Sequence, residues 1–345
     1  MKRLYSLFLL IYLFSPQIFA VDSDLYFYEV KLGNRALVME MVYAGADVNA
    51  RDRFMATPLH YCAYLGHSEL AAFFVENHAS LEARDYLGRT PLMLALSNGY
   101  IETTNLLINL GANLEVQDNE LSTPLHTAVR FGPPEGVKAL LDKFVFIDRK
   151  DNTGATPLHF ATQFESTKKL ELLLDRGADF GMEDNMGLTP LHLAAYRDVT
   201  ATKSLPILLR KGSDVNQVDH QGNTALFMAR LPAPMQMLLD FGSKINARNN
   251  EGRTPLHFAA NIRFNSAANI LFLIRNGALV NAKDNYGNLP IHLVVGRGNL
   301  EAVKALVLNG SHLNEKNNEN KTPLMIAKEN VNLVVVLYLE QLLGE

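Results

Sequence analysis

The chain has 345 residues, of which 48% are hydrophobic and 20% charged, with a formal charge of −4. These are the proportions of an ordinary globular chain, and without a basic surplus to neutralise a phosphate backbone they argue against a nucleic-acid binder. A single cysteine, Cys62, excludes an internal disulfide.

Residues 1–20 stand apart from the rest. Lys2 and Arg3 precede an apolar run from Leu4 to Phe14, Pro16 breaks it, and Ile18 and Ala20 occupy the −3 and −1 places of a cleavage site. This predicts a secretory signal peptide removed after Ala20. The run is shorter than the ~20 residues that a membrane span requires, so cleavage is preferred to a membrane anchor. No cysteine follows Ala20 to carry a lipid. Two sequons, at Asn309 and Asn320, matter only in a eukaryotic secretory host.

From Asp24 onward one pattern recurs. Residues 24–52 end in "GADVN" at 45–49, and the tetrapeptide "TPLH" then begins at Thr57, Thr123, Thr156, Thr189 and Thr254. Degenerate copies begin at Thr90, Thr224, Leu289 and Thr322, so the steps between anchors are 33, 33, 33, 33, 35, 30, 35 and 33. In each copy the threonine suits a helix N-cap and the proline the first helical position, where its missing N–H costs nothing. A second apolar helix follows, as in "KKLELLLDRG" (168–177), and Gly177 suits the left-handed position that ends it. One such unit cannot bury its apolar face alone, and stacking does so.

The anchor, the period, "DNMGLTPLHLAA" (184–195) and segments such as "LLRKGSDVNQVD" (208–219) resemble the ankyrin repeat over about nine-tenths of the chain. The resemblance implies an all-α solenoid of stacked helix-turn-helix units joined by β-hairpin-like loops. Residues 24–345 then hold about ten repeats, with an N-terminal cap repeat at 24–52. A C-terminal cap repeat occupies 318–345, its outer face made partly polar by Glu340, Gln341 and Glu345.

Six histidines sit in the anchor: His60, His126, His159, His192, His257 and His292. A metal or acid–base role competes with the bridging hydrogen bond between neighbouring turns that the resemblance implies. Packed helices lie roughly 8–10 Å apart, whereas zinc needs each nitrogen at about 2 Å, so adjacent anchors cannot share an ion and the structural role is expected. Cys62 takes a tight helix-contact position and is expected to be a buried inert thiol. The sequence carries no phosphate loop, hydrolase elbow or zinc motif. No catalytic residue, metal or cofactor is therefore expected.

The resemblance further implies a concave face built from turn tips and first helices. Its variable positions carry Phe54, Tyr64, Tyr86, Arg89, Arg130, Phe131, Phe164, Tyr196, Arg197, Arg230, Tyr286 and Arg297. Aromatic residues and arginine are enriched in binding hot spots, which makes these twelve the candidate contacts to a protein partner. Two local departures interrupt the pattern. Residues 224–242 read as having lost part of the turn between helices and gained Pro232 and Pro234. Lys143-Phe144 stand where Gly-Ala is expected, and Phe144 with Phe146 could form an exposed apolar patch.

The expected molecule is a non-catalytic, monomeric protein-binding scaffold that is exported, with the bacterial periplasm preferred to release outside the cell. The alternatives are an effector that binds a host protein, a membrane-anchored scaffold, and an enzyme with a site in the groove. Neither nucleic acid nor, after cleavage, membrane is expected as a partner.

Overall fold

The computed structural model describes residues 22–164, 166–196, 203–262 and 266–344. The expected signal peptide and Arg197 lie outside them. The chain divides into two compact bodies between Asn152 and Thr153. The first contains α1 (Ser23–Leu32), α2 (Arg35–Tyr43), α3 (Pro58–Leu65), α4 (Ser68–Glu76), α5 (Pro91–Asn98), α6 (Ile101–Asn109), α7 (Pro124–Arg130) and α8 (Pro134–Leu141). The second contains α9 (Pro157–Gln163), α10 (Thr167–Asp175), α11 (Pro190–Tyr196), α12 (Ser204–Lys211), α13 (Ala225–Met228), α14 (Pro232–Asp240), α15 (Pro255–Asn261), α16 (Ser266–Arg275), α17 (Pro290–Arg297), α18 (Leu300–Leu308), α19 (Pro323–Glu329) and α20 (Leu333–Leu343). Within each body the helices pair antiparallel and the pairs stack, which is an all-α repeat solenoid.

Between the terminal pairs, the first helix of each pair is short and largely buried. In α5, Pro91 through Leu96 are all buried. Leu59, Leu92 and Leu125 stack through the first body, and Leu158, Leu191, Leu226, Leu256 and Ile291 through the second. Each is worth about 2 kcal/mol for its removal from water. The second helices bury a single stripe, as α10 does with Leu170, Leu173 and Leu174, and leave a wet outer face.

Between pairs the chain makes acid-anchored turns. The Asp85 carboxylate accepts the N–H groups of Leu87 and Arg89 at 2.9 Å, and its own N–H donates to the Arg89 carbonyl at 3.0 Å. Asp52, Asp118, Asp184, Asp219, Asn249, Asp284 and Asn317 repeat this arrangement. Successive tips are joined by one backbone bond, such as Tyr86 N–H to the Phe54 carbonyl and Asn250 N–H to the Gln221 carbonyl. The hairpin-like loops are thus turns, and among the described residues the only bridge is the isolated pair Val218 and Thr224. Asparagines staple the outer ends of the repeats. The Asn246 amide donates to the Gly277 carbonyl and accepts from the Leu279 N–H.

The anchor histidines connect the turns. His60 Nδ1 accepts the Thr57 N–H (3.0 Å) and the Thr57 hydroxyl (2.8 Å), and its Nε2–H donates to the carbonyl of Arg89 in the next turn at 3.0 Å. The carbonyl partner fixes the tautomer. His159, His192 and His257 do the same toward Leu188, Asn223 and Asn288. His126 holds Thr123 through Nδ1. His292 caps Leu289, which has no hydroxyl, and reaches the Glu315 carbonyl. Met93, Phe227 and Met325 replace the histidine; the buried hydroxyls of Thr90 and Thr224 then have no hydrogen-bond partner, while that of Thr322 accepts the Met325 N–H.

Three sequence expectations are revised. The shortened repeat loses its residues from the helix rather than from the turn. Helix α13 has four residues where α9 has seven, and each is followed by a linker of three. Phe144, rather than Lys143, takes the glycine position, because its φ of 57° is the left-handed conformation that Gly111 and Gly177 adopt in their own repeats. That position faces open solvent, for a Cβ at Gly111 would meet nothing within 4 Å, and Phe144 is accordingly 100% exposed. At the C-terminus, α20 shows an outer face that includes exposed Leu333, Val334 and Leu337 beside Gln341. It is more apolar than Glu340 and Gln341 suggested, because the run from Leu333 to Leu339 is apolar on every side and only one stripe packs inward.

Burial lowers the pKa of His60, His192, His257 and His292 below the ordinary histidine value. Each therefore contributes stability that is fully present above the unfolded value, near pH 6.5, and is lost as pH falls through that value toward the folded one. The urea midpoint should hold constant from pH 8 to 7 and fall between pH 6.5 and 5. His257→Gln should make that fall shallower. An unchanged pH profile in the variant would show that the histidine does not carry it.

Candidate functional site

The sequence-derived candidates fall into separate clusters on the inner face. In the first body, Phe54, Tyr64, Tyr86 and Arg89 surround a depression of about 240 Å3 floored by His60, Tyr61 and Leu94. The Phe54 and Tyr86 rings are 5.9 Å apart, and the Arg53 guanidinium lies 4.7 Å from the Phe54 ring centre. Arg89 is held in place by Asp85, with Nε at 2.9 Å and Nη2 at 2.8 Å from the same carboxylate oxygen. Arg89 also lines a second depression, of about 260 Å3, with Leu87, Glu120, Arg130 and Phe131. There Arg130 lies 4.9 Å from the Phe131 ring centre and 3.8 Å from the Glu120 carboxylate. The arginines lie over or beside the rings, so that aromatic faces and guanidinium edges share one surface.

In the second body the candidates are more dispersed. The Arg230 guanidinium sits 4.3 Å from the Tyr196 ring centre. Phe164 stacks on Phe160 at 6.3 Å and borders no depression described above. Tyr286 lies 6.0 Å from Arg253, whose guanidinium also meets Glu251 and Asp284. Arg297 donates to the Asn261 side chain at 2.9 Å. The candidates therefore form two joined depressions in the first body, while in the second Tyr196 and Arg230 border a third and Phe164 and Tyr286 stand apart.

The anchor histidines are unsuited to metal or acid–base work. In His60, His159, His192 and His257 the Nδ1 lone pair is occupied by the threonine and the Nε2 proton by a carbonyl. Cys62 is wholly buried, which pushes its thiol pKa well above the ordinary range and away from the thiolate.

Comparison with known proteins agrees with this geometry. A family model described as Ankyrin repeats (3 copies) matches residues 27–118, 106–184, 165–231 and 191–284, and one described as Ankyrin repeats (many copies) matches 273–327. The chain belongs to the ankyrin-repeat family. Among solved structures it is similar to the human ASB11 ankyrin repeat domain, with 27% identity and a TM-score of 0.57, covering 64% of this chain and 98% of that one. No curated protein matches it. Ankyrin repeats generally mediate protein–protein interaction and are typically non-catalytic.

Two residues of the inner face escaped the sequence reading. Each ankyrin turn has a left-handed residue two before the anchor, and it is glycine at Gly88, Gly154, Gly187, Gly222, Gly252 and Gly287. Met55 (φ 58°) and Leu121 (φ 60°) occupy that place in the first body. Both are half-exposed, so burial does not hold them in a conformation that costs a bulky residue roughly 1 kcal/mol. Glycine's absence from these two turns is visible in the sequence, but only φ shows that the replacing residues keep the left-handed conformation. Leu121→Gly is expected to raise stability by up to about 1 kcal/mol, the relief of strain exceeding the entropic cost of glycine. A urea titration that shows a loss of stability would instead assign Leu121 a packing role.

Proposed function

We propose that this protein is a non-catalytic scaffold that binds another protein through the inner face of its ankyrin repeats and acts as a monomer after export, with the periplasm as its compartment. The observation that carries the binding reading is the continuous aromatic and arginine surface of the first body, where Phe54, Tyr86 and Phe131 are exposed beside Arg53, Arg89 and Arg130. Solvent-exposed aromatics are costly to leave wet, and they provide large contact area at low conformational cost when a partner covers them. Met55 and Leu121, strained and apolar at the tips, fit the pattern of strain retained where a surface is used. Export rests on the N-terminal sequence alone, with Lys2 and Arg3, the apolar run and Ala20.

The test is crosslinking and capture from envelope extract with the chain beginning at Val21. Phe131→Ser should reduce capture at least about tenfold, as a lost hot spot does, and leave the urea midpoint within about 0.5 kcal/mol of the parent. Capture that is indifferent to Phe131→Ser and to Phe54→Ser would remove the assignment of this face. N-terminal sequencing of the protein from cells reports on export. A start at Val21 is expected, and an intact Met1 would favour the anchored alternative.

A further inference from the structure

The repeat anchored at Thr224 differs from its neighbours in two ways at once. Phe227 replaces the bridging histidine, and α13 stops after four residues. Ala229 is extended (φ −66°, ψ 125°) and so is Leu231 (φ −136°, ψ 151°), as the residue before a proline prefers. The first helices on either side, α11 and α15, run to seven residues each. The missing helical turn leaves space between them, a cavity of about 180 Å3. Its walls include Phe227, Phe258, Met228 and Met235, and its rim includes Tyr196 and Arg230. The Phe227 and Phe258 rings meet edge to face at 5.2 Å. An apolar cavity of about 150 Å3 holds benzene, so this one admits a phenyl ring.

Charge at the rim defines the ligand further. The Arg230 backbone carbonyl accepts from the buried Asn269 amide at 2.9 Å, which fixes the residue's position. Its guanidinium lies over Tyr196 at 4.3 Å. Arg297 is tied by its Nε to the side chain of Asn261, which also lines the cavity. Among the described residues, neither arginine is paired with a carboxylate. An apolar space of ring size beside two guanidinium groups that no described carboxylate meets complements an aromatic group with a carboxylate a few ångströms away.

We propose that this cavity is a specificity pocket for a phenylalanine side chain of the protein partner, with an adjacent acidic residue of that partner held by Arg230. The proposal rests on the scaffold reading above and names the chemistry of one contact.

The probe is the blocked dipeptide acetyl-Phe-Glu-amide, titrated into the full mature chain carrying 13C-methyl methionine and followed by NMR. Met228 and Met235 line the cavity, whereas Met186 and Met325 are exposed and do not. The expected result is a saturable shift of the Met228 and Met235 methyls, with a dissociation constant of about a millimolar, while Met186 and Met325 stay in place. Acetyl-Phe-Gln-amide, and the Arg230→Gln protein with the original peptide, should each bind about fivefold to tenfold more weakly. Acetyl-Ala-Glu-amide should not saturate. No saturable shift at Met228 and Met235 up to 10 mM, or equal binding of the Gln and Ala peptides, would overturn the pocket. Failure here with capture still abolished by Phe131→Ser would remove the pocket and keep the scaffold. Binding here with no partner captured would keep the pocket and remove the scaffold.

Discussion

The histidine bridge is the constraint on which the rest of each body depends. A short first helix exposes backbone donors at its start and carbonyls in the turn of the next repeat, and burial forbids leaving either to water. One imidazole answers both needs. Its Nδ1 takes the threonine N–H and hydroxyl, and its Nε2–H reaches a carbonyl about thirty residues on, as His159 reaches Leu188. The bridge therefore sets the distance between repeats as well as capping a helix. The same two bonds remove both nitrogens from chemistry, so a residue type usually read as catalytic is consumed by architecture. They also keep the ring neutral, and acid thereby becomes the condition that loosens the stack.

The repeat architecture was legible in the sequence because the bridge needs the same four residue types at a fixed interval. Thr-Pro-Leu-His at a step of 33 leaves little to infer once the N-cap, the N1 proline and the buried leucine are recognised. The inner face was legible only in part. Phe54, Tyr86, Arg89, Arg130 and Phe131 stood out by type and register, and the structure brings them together. Phe164 stood out equally and stacks on Phe160 instead, because the neighbour that decides the matter lies four residues back in the same helix. Met55 and Leu121 were hidden for the opposite reason. Nothing marks a methionine or a leucine as strained until its backbone angle is known. Phe144 was misplaced by one residue, since a lone break in a glycine pattern does not say which neighbour carries the left-handed turn.

Apolar tips are concentrated in the first body, at Phe54-Met55, Tyr86-Leu87 and Leu121, whereas in the second Met186 and Tyr286 stand among Asn185, Gln221, Glu251 and Glu319. Backbone geometry is nearly the same in both, with one acid-anchored turn and one bond to the next tip, so the difference lies in side chains that the fold leaves unconstrained. A polar tip satisfies itself. Asn285 donates to the Asn250 carbonyl and Asn318 to the Asn285 carbonyl, tying these tips to one another. In the first body Asn119 makes the same tie, donating to the Tyr86 carbonyl at 3.1 Å, and the Tyr86 ring is exposed. The first body keeps such ties and adds exposed apolar surface at Phe54, Met55, Tyr86, Leu87 and Leu121, which favours contact area over hydrogen bonds in any interface formed there.

The shortened repeat shows how one substitution permits another. Without the imidazole, the Thr224 hydroxyl is left unpartnered and the link to the following turn is gone, so the repeat already lacks the tie that holds its neighbours in register. A helix of four residues would be marginal in isolation, but here it is pinned by buried Ala225, Leu226 and Phe227 and ended by extended Ala229. Met93 also replaces the histidine and also strands a threonine hydroxyl, yet α5 keeps eight residues and its repeat keeps its length. Loss of the bridge alone therefore does not shorten the helix. What distinguishes the Thr224 repeat is that the missing turn is replaced by walls of aromatic and methionine side chains rather than by closure of the helices on either side. An interior that could collapse would recover the contacts that a void forfeits. The rings of Phe227 and Phe258, in edge-to-face contact at 5.2 Å, line the space that is left.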